Sequence, residues 1–80
     1  MSTLEVKSGP VFAVDVWFDE EMLHVDLSDG RSIAAPLEWF PSLRDASPTH
    51  RANWRPIGKG IGIHWDDLDE DLSVAGLLDH

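Results

Sequence analysis

The chain has 80 residues, no cysteine and a formal net charge of −9, with 15 acidic residues against 6 lysines and arginines. Its length fits one small domain, and its 42% hydrophobic and 26% charged residues are typical of a folded protein rather than a disordered one. The lack of cysteine excludes disulfides, thiolate metal sites and a cysteine nucleophile, and the negative charge disfavours direct binding to nucleic acid or anionic membranes.

The N-terminal sequence MSTLEVKSGP has no apolar run of the kind found in a signal peptide. No other stretch approaches the ~18 apolar residues that a membrane span needs. We therefore expect a soluble, cytoplasmic protein that does not bind membranes. Residues 1–80 are predicted to form a single domain, with residues 1–10 as a loosely ordered N-terminus or an edge strand.

The first half of the chain has the pattern of a β-meander. Val11–Phe18 (VFAVDVWF) is rich in β-branched and aromatic residues, which favours a strand, and a polar turn follows at 19–22. Leu23–Ser28 alternates apolar and polar residues, as a half-buried antiparallel strand does. Asp29–Gly30 is a hairpin signal of the type I′ kind, so the RSIAAP segment (31–36) is predicted as the third strand.

The segment Glu38–Trp54 (EWFPSLRDASPTHRANW) is predicted to be helical. Pro41 suits the first turn of a helix, and Ser47 followed by Pro48 interrupts the run. Two short helices are therefore expected, with Ser47 as the N-cap of the second helix and Pro48 at its first position.

The glycine-rich segment Arg55–Trp65 (RPIGKGIGIHW) fits either a strand or a tight loop against the sheet. Asp71–Leu78 (DLSVAGLL) predicts a short C-terminal helix or turn with Asp71 or Ser73 as its cap. The expected fold class is α+β, an antiparallel three- to four-stranded β-meander packed with two or three short helices.

Five of the six residues from Asp66 to Asp71 are acidic, and a metal loop is the first explanation to consider. Asp67, Asp69 and Asp71 alternate as in the opening of an EF-hand loop. That loop requires glycine at its sixth position and glutamate at its twelfth, where this chain has leucines. We therefore expect no specific calcium site, and no other metal or cofactor.

Helix capping is a second explanation for the acidic run. Acidic side chains stabilise the first turn of a helix, because that turn exposes unpaired N–H groups and carries partial positive charge. Asp69, Glu70 and Asp71 could serve the predicted C-terminal helix in this way. Asp67 or Asp69 could also pair with a basic residue of the middle segment, Arg51 or Arg55.

The sequence predicts no enzyme. His64 precedes Asp66 and Asp67, which could orient its ring or raise its pKa, but no motif places a nucleophile. The GKGIG run lacks the Gly-Lys-Ser/Thr sequence of a phosphate-binding loop, and the acids downstream would repel a phosphate.

Protein interaction is the last explanation for the acids. A second acidic cluster surrounds the first hairpin, and two such patches on a small body could occupy a basic groove built for a nucleic-acid backbone. Trp65 is considered as an apolar anchor for the same partner. The candidate partner-binding residues are Asp19, Glu20, Glu21, Trp65, Asp66, Asp67, Asp69, Glu70 and Asp71.

The second half of the chain resembles a known family. Phe40–Leu78 carries an aromatic-Pro-x-Leu start, an Ile-His-Trp block and an Asp-Glu-Asp-x-Ser-Val-x-Gly-Leu-Leu end. Together with the upstream meander, these blocks are similar to the prokaryotic domain of unknown function 2442 family over residues 11–78. Asp66 departs from the family's usual proline, and Lys59 from a common glycine.

This resemblance implies a small α+β fold without catalytic residues. It also implies a gene context, because members are often encoded beside another small protein in pairs that look like toxin–antitoxin systems. In this family some chains carry an added DNA-binding domain.

We therefore expect a non-catalytic acidic protein that occludes a basic nucleic-acid-binding surface of a partner by charge mimicry of DNA. The most concrete form is a phage- or mobile-element-encoded anti-CRISPR inhibitor that acts in the cytoplasm of a bacterial cell and blocks target DNA binding by an effector complex. The alternative is an antitoxin-like partner or regulator of a toxin in a toxin–antitoxin gene pair. A monomer is favoured over a homodimer.

Overall fold

A computed structural model describes residues 11–79 as two three-stranded antiparallel sheets with short helices. This architecture confirms the predicted α+β class, whereas the expectations for residues 1–10 lie outside the described range. The strands are β1 (Ala13–Phe18), β2 (Met22–Leu27), β3 (Ser32–Pro36), β4 (Trp54–Ile57), β5 (Gly62–Trp65) and β6 (Glu70–Ser73). The helices are α1 (Pro41–Arg44), α2 (Pro48–Ala52) and α3 (Val74–Leu78), with one 3₁₀ turn at Leu37–Trp39. Over residues 11–79, no helix is long and apolar enough to cross a bilayer.

The first sheet is the predicted meander, with strand order β1-β2-β3. Leu23, Val25 and Leu27 of β2 are buried, while His24 and Asp26 point to the outer face. The alternation in the sequence therefore fixed which face of β2 packs on the core.

A β-bulge interrupts β1 at Val14. Ala13 pairs with Leu27 and Asp15 with Asp26, so that Val14 has no partner on β2 and its side chain is 58% exposed. The extra residue explains why Ala13 and Val16, three positions apart, both face the core.

The glycine-rich segment Arg55–Trp65, predicted as either a strand or a tight loop, forms most of a hairpin in the second sheet. β4 and β5 pair from Trp54 opposite Trp65 to Ile57 opposite Gly62. The prediction that the helical region extends to Trp54 is wrong, since α2 ends at Ala52. Pairing with β5 places Trp54 against the core, which local helical spacing could not indicate.

The two helices of the middle segment begin as predicted. Pro41 occupies the first turn of α1, and Pro48 that of α2. Ser47 is the N-cap of α2, where its hydroxyl accepts a hydrogen bond from the backbone N–H of His50 at 3.1 Å.

The C-terminal acidic residues do not cap a helix, and that prediction is wrong. Glu70 and Asp71 belong to β6, and Asp69 lies in the preceding turn with a φ of 52°. Ser73 caps α3 by accepting a hydrogen bond from the backbone N–H of Gly76 at 2.9 Å. The helix therefore starts too late for the acidic run to reach its first turn.

The core lies between the two sheets. Its largest fully buried side chains are Trp65, Leu23, Leu43, Ile63 and Val25. β1 and β5 run in the same direction through this region, because contacts join them at both ends. Ala13 N–H donates to Gly60 O at 2.7 Å near their starts, and the rings of Phe18 and Trp65 pack edge to face at their ends, with centroids 6.4 Å apart.

Candidate functional site

The two acidic turns lie at the same end of the molecule. One turn, 19–21, directly follows Phe18 at the end of β1, and the other, 66–69, follows Trp65 at the end of β5. Since these two rings are in contact, both turns leave their strands at the same end of the molecule, although they are 45 residues apart in sequence (66 minus 21). We call residues 19–21 and 66–71 the acidic end.

Asp19 organises the first turn. Its Oδ1 accepts hydrogen bonds from the backbone N–H groups of Glu21 and Met22, each at 2.8 Å. Its Oδ2 lies 2.7 Å from Nε2 of His24, whose ring stacks on Trp17 with centroids 3.8 Å apart. The hydrogen bond from His24, followed by the two backbone bonds, holds the pKa of Asp19 below its ordinary value. The carboxylate therefore stays charged and fixed in place.

Asp66 belongs to a row of charged side chains on the outer face of the second sheet. Arg55 Nε lies 3.2 Å from Asp66 Oδ2, and His64 Nε2 lies 2.9 Å from Asp66 Oδ1. The hydrogen bond from Arg55 is the main reason that the pKa of Asp66 is lowered. On the other side, His64 Nδ1 meets Asp71, and this contact raises the pKa of His64.

Two further acids of the run are held by polar side chains from the middle segment. Asn53 Nδ2 donates to Asp67 at 2.7 Å, and Ser42 Oγ donates to Glu70 at 2.6 Å. The predicted pairing of Asp67 or Asp69 with an arginine is therefore wrong, and Arg55 contacts Asp66 instead.

Arg51 is occupied by the backbone. Its Nε donates to Leu43 O and its Nη2 to Arg44 O, both at 2.8 Å. Its guanidinium carbon also lies over the Phe18 ring, 5.4 Å from the centroid. These contacts explain why Arg51 does not reach the acidic run.

Glu20, Glu21 and Asp69 differ from the other acids of this end. Within residues 11–79 no hydrogen-bond donor or basic group contacts their carboxylates, and all three residues are exposed. A partner could therefore bind these groups without breaking an internal contact. The sequence did not separate them from their paired neighbours, because pairing depends on contacts with Asn53, Arg55 and other distant residues.

Trp65 does not fit its predicted role as an anchor for a partner. Its side chain is 0% exposed and packs within the core. Its indole N–H donates to the carbonyl of Arg51 at 3.0 Å, which ties β5 to α2. The correction follows from β5 alternation, which turns Trp65 inward and His64 outward.

A groove beside the first acidic turn was not predicted. It has a volume of ≈ 550 Å³ and opens between β1 and α2, next to Asp19 and Glu20. Its walls include Val16, Trp17 and Phe18 from β1, and Pro48, Arg51 and Ala52 from α2. Its walls come from segments 30 residues apart (48 minus 18), so no local pattern could indicate it.

The described part of the chain does not bring three or more histidine, aspartate or glutamate side chains together as ligands for a metal ion. His64 with Asp66 and Asp71 forms an ion-pair row on an exposed sheet face. The arrangement at the acidic end presents charge and hydrogen-bond acceptors, which suit a basic binding partner.

Comparison with known proteins agrees with this fold. The chain is similar to a protein of unknown function from Rhodospirillum rubrum ATCC 11170, known from a crystal structure, with 32% identity and a TM-score of 0.74. The match covers 89% of this chain and 88% of that chain. A search among curated proteins gave no match. Residues 13–80 match the family described as "Protein of unknown function (DUF2442)", which confirms the resemblance seen in the sequence. The chain therefore belongs to the DUF2442 family.

Proposed function

We propose that this protein is a non-catalytic interaction protein whose acidic end binds and occludes a basic, nucleic-acid-binding surface of a protein partner. The observation that carries the proposal is the Phe18–Trp65 contact, which places both acidic turns at the same end of the molecule. The turns and β6 contribute eight carboxylates, three from residues 19–21 and five from residues 66–71. A cluster of this kind attracts a basic surface and fixes the orientation of the complex.

The internal contacts of the acidic end support this role. Asp19 and Asp66 are held by hydrogen bonds that also keep their pKa values below the ordinary range. Their charges are therefore arranged before a partner arrives, which lowers the entropy cost of binding. Glu20, Glu21 and Asp69 complete the surface with carboxylates that have no internal partner among residues 11–79.

Two kinds of partner have the required chemistry. A CRISPR effector complex holds its target DNA in a positively charged channel, and an inhibitor of the anti-CRISPR kind would block that channel. A nucleic-acid-cleaving toxin encoded beside this protein would also present a basic surface, in agreement with the gene pairs that the family resemblance implies. Both forms share one mechanism, displacement of nucleic acid by carboxylates.

The test uses two variants with the same change in net charge. The first replaces the unpaired acids of the acidic end (Glu20→Gln, Glu21→Gln, Asp69→Asn). The second removes three acids elsewhere and serves as the control (Asp26→Asn, Asp29→Asn, Asp79→Asn). Asparagine tolerates the positive φ of Asp69, so the first variant should fold normally.

Nucleic-acid binding is measured for each candidate partner with wild type and variants in excess. We expect wild type and control to abolish binding of target DNA by an isolated effector complex, or of RNA by the neighbouring toxin. The acidic-end variant should be weaker by about tenfold or more, equivalent to roughly 1.4 kcal/mol. Equal inhibition by both variants would contradict the proposal, as would undisturbed nucleic-acid binding by both kinds of partner.

A further inference from the structure

We propose that the groove between β1 and α2 is the docking site for an extended, lysine- or arginine-bearing segment of the protein partner, which adds a strand to the outer edge of β1. This inference rests on the proposed function and identifies the groove beside the first acidic turn as the place where the partner binds.

Within residues 11–79, no strand pairs with the outer edge of β1 beside the groove. The hairpin bond from Asp19 N–H to Met22 O, with the regular register from Asp15 to Phe18, shows which residues of β1 bond to β2. The backbone N–H and C=O groups of Asp15 and Trp17 point toward β2, so those of Val16 and Phe18 point away from it. No other backbone segment within residues 11–79 bonds to the Phe18 N–H.

The Asp15 side chain blocks only one backbone group on the outer edge of β1. The Val16 N–H is bonded to Oδ1 of Asp15 at 2.9 Å, whereas the carbonyls of Val16 and Phe18 and the N–H of Phe18 have no backbone partner among residues 11–79. These three groups form the ladder that an incoming strand would meet, and β-strand addition of this kind is a recurrent mode of peptide recognition.

The shape and charge of the groove define the occupant. Apolar surface of Val16, Phe18 and Ala52 lines it, and Trp17 stands at its rim with 47% of its surface exposed. The methylene stems of lysine and arginine pack well on such surface while their charged groups remain in water.

The charges around the groove are unequal at its two sides. Asp19 and Glu20 lie at the turn, whereas Arg51 lies on the α2 side with its donors bound to backbone carbonyls. A basic segment is therefore drawn toward the turn and repelled from the helix, which sets its position along the groove.

The experiment uses isotope-labelled full-length protein and a short peptide of alternating lysine and serine as the probe. We expect saturable NMR shifts at the Trp17 indole and the Phe18 amide, with slower hydrogen exchange of the Phe18 N–H in the complex. Ala52→Phe should fill the groove without changing charge and weaken peptide binding by about tenfold. Thr49→Phe places the same aromatic ring at an exposed position of α2 that does not line the groove, and should leave binding unchanged.

Several results would overturn the inference. Peptide binding that is equal in Ala52→Phe and Thr49→Phe, shifts confined to residues 66–71, or no binding of the peptide would each exclude the groove as the docking site. A concentration-dependent dimer with a protected Phe18 N–H in the absence of peptide would assign the edge to a second copy of the chain. In all of these cases the proposed function stands or falls separately, on the nucleic-acid displacement measured with the two charge variants.

Discussion

At the scale of single residues, Gly60 occupies a position of this small domain where a larger residue does not fit. Gly60 has a φ of 111°, and a Cβ at this position would lie 2.6 Å from the carbonyl oxygen of Ala13. The same backbone contact carries the hydrogen bond that joins the start of β1 to the β4–β5 turn. Gly60 therefore controls how closely the two sheets approach.

Gly60→Ala should destabilise the protein by more than about 2 kcal/mol, because strain at a positive φ adds to a backbone clash. Gly30→Ala is the matched control, since Gly30 has a φ of 92° but an added Cβ would meet no atom within 4 Å. Its cost should be about 1 kcal/mol from strain alone. Urea unfolding of the two variants measures the difference, and equal midpoints would show that the Ala13–Gly60 contact does not constrain the fold.

His64 makes a second residue-level prediction, which concerns pH. Asp71 and Asp66 flank its ring and raise its pKa, with desolvation and Arg55 acting in the opposite direction. The protonated ring stabilises the folded state fully below the ordinary pKa of about 6.5. This contribution is lost as the pH rises through the higher pKa of the folded protein.

Imidazole titration by NMR should therefore give a pKa for His64 above the ordinary value, and Asp71→Asn should lower it. The free energy of unfolding should fall as the pH rises above about 6.5, and His64→Gln should remove that part of the dependence. A His64 pKa at or below the ordinary value would show that the ion-pair row on the second sheet does not form in solution.

At the scale of elements, β6 and α3 meet at Ser73, which ends the strand and caps the helix. Ser73→Ala should cost about 1 kcal/mol, because the first turn of α3 loses its side-chain acceptor. Thr49→Ala on the exposed face of α2 is the control and should change stability little. Denaturant midpoints compare the two variants, and an equal, near-zero effect of both would mean that α3 does not depend on its cap.

Strong local patterns predicted several elements correctly. The alternation of Leu23–Ser28 predicted the buried face of β2, the pair Asp29–Gly30 marked the hairpin, and Ser47 with Pro48 marked the start of α2. The predicted type I′ turn is wrong, because Gly30 has a positive φ and Asp29 does not. In each case the residues within one turn or one strand contain the physical cause, which is side-chain burial, a positive φ or a capped N–H group.

The second sheet could not be derived in the same way. β6 has the sequence EDLS, which is short, acidic and without a strong β preference, and it exists because it pairs with β5. That pairing opposes Ile63 with Leu72 and Trp65 with Glu70. Tertiary context therefore overrode local propensity, and the same acids that suggested a helix cap became strand and turn residues.

The candidate site could likewise be predicted only in part from local sequence patterns. The sequence identified the acidic residues of both turns, but it did not place the turns together, and it left Trp65 as an exposed anchor. Both outcomes depend on β1 and β5 running in the same direction across the core, which the Ala13–Gly60 and Phe18–Trp65 contacts establish.

At the scale of the whole molecule, the two ends differ in the side chains that they expose. The end that contains Phe18 and Trp65 carries both acidic turns. Near the starts of β1 and β5, by contrast, Ile61 and Leu78 are apolar and exposed by 53% and 42%. This polarity predicts that a basic partner approaches from one direction, and that the association rate falls as salt screens the acidic end.

The most direct test of the central claim measures whether the acidic end displaces nucleic acid from a partner. The wild-type protein captures its partner from a lysate of the cells that express it naturally, and nucleic-acid binding by the purified partner is then followed as each variant is added. Wild type and the Asp26, Asp29 and Asp79 control should displace the nucleic acid, whereas the Glu20, Glu21 and Asp69 variant should require about tenfold more protein. A partner that keeps its nucleic acid in the presence of wild type, or that responds equally to both variants, would contradict the account.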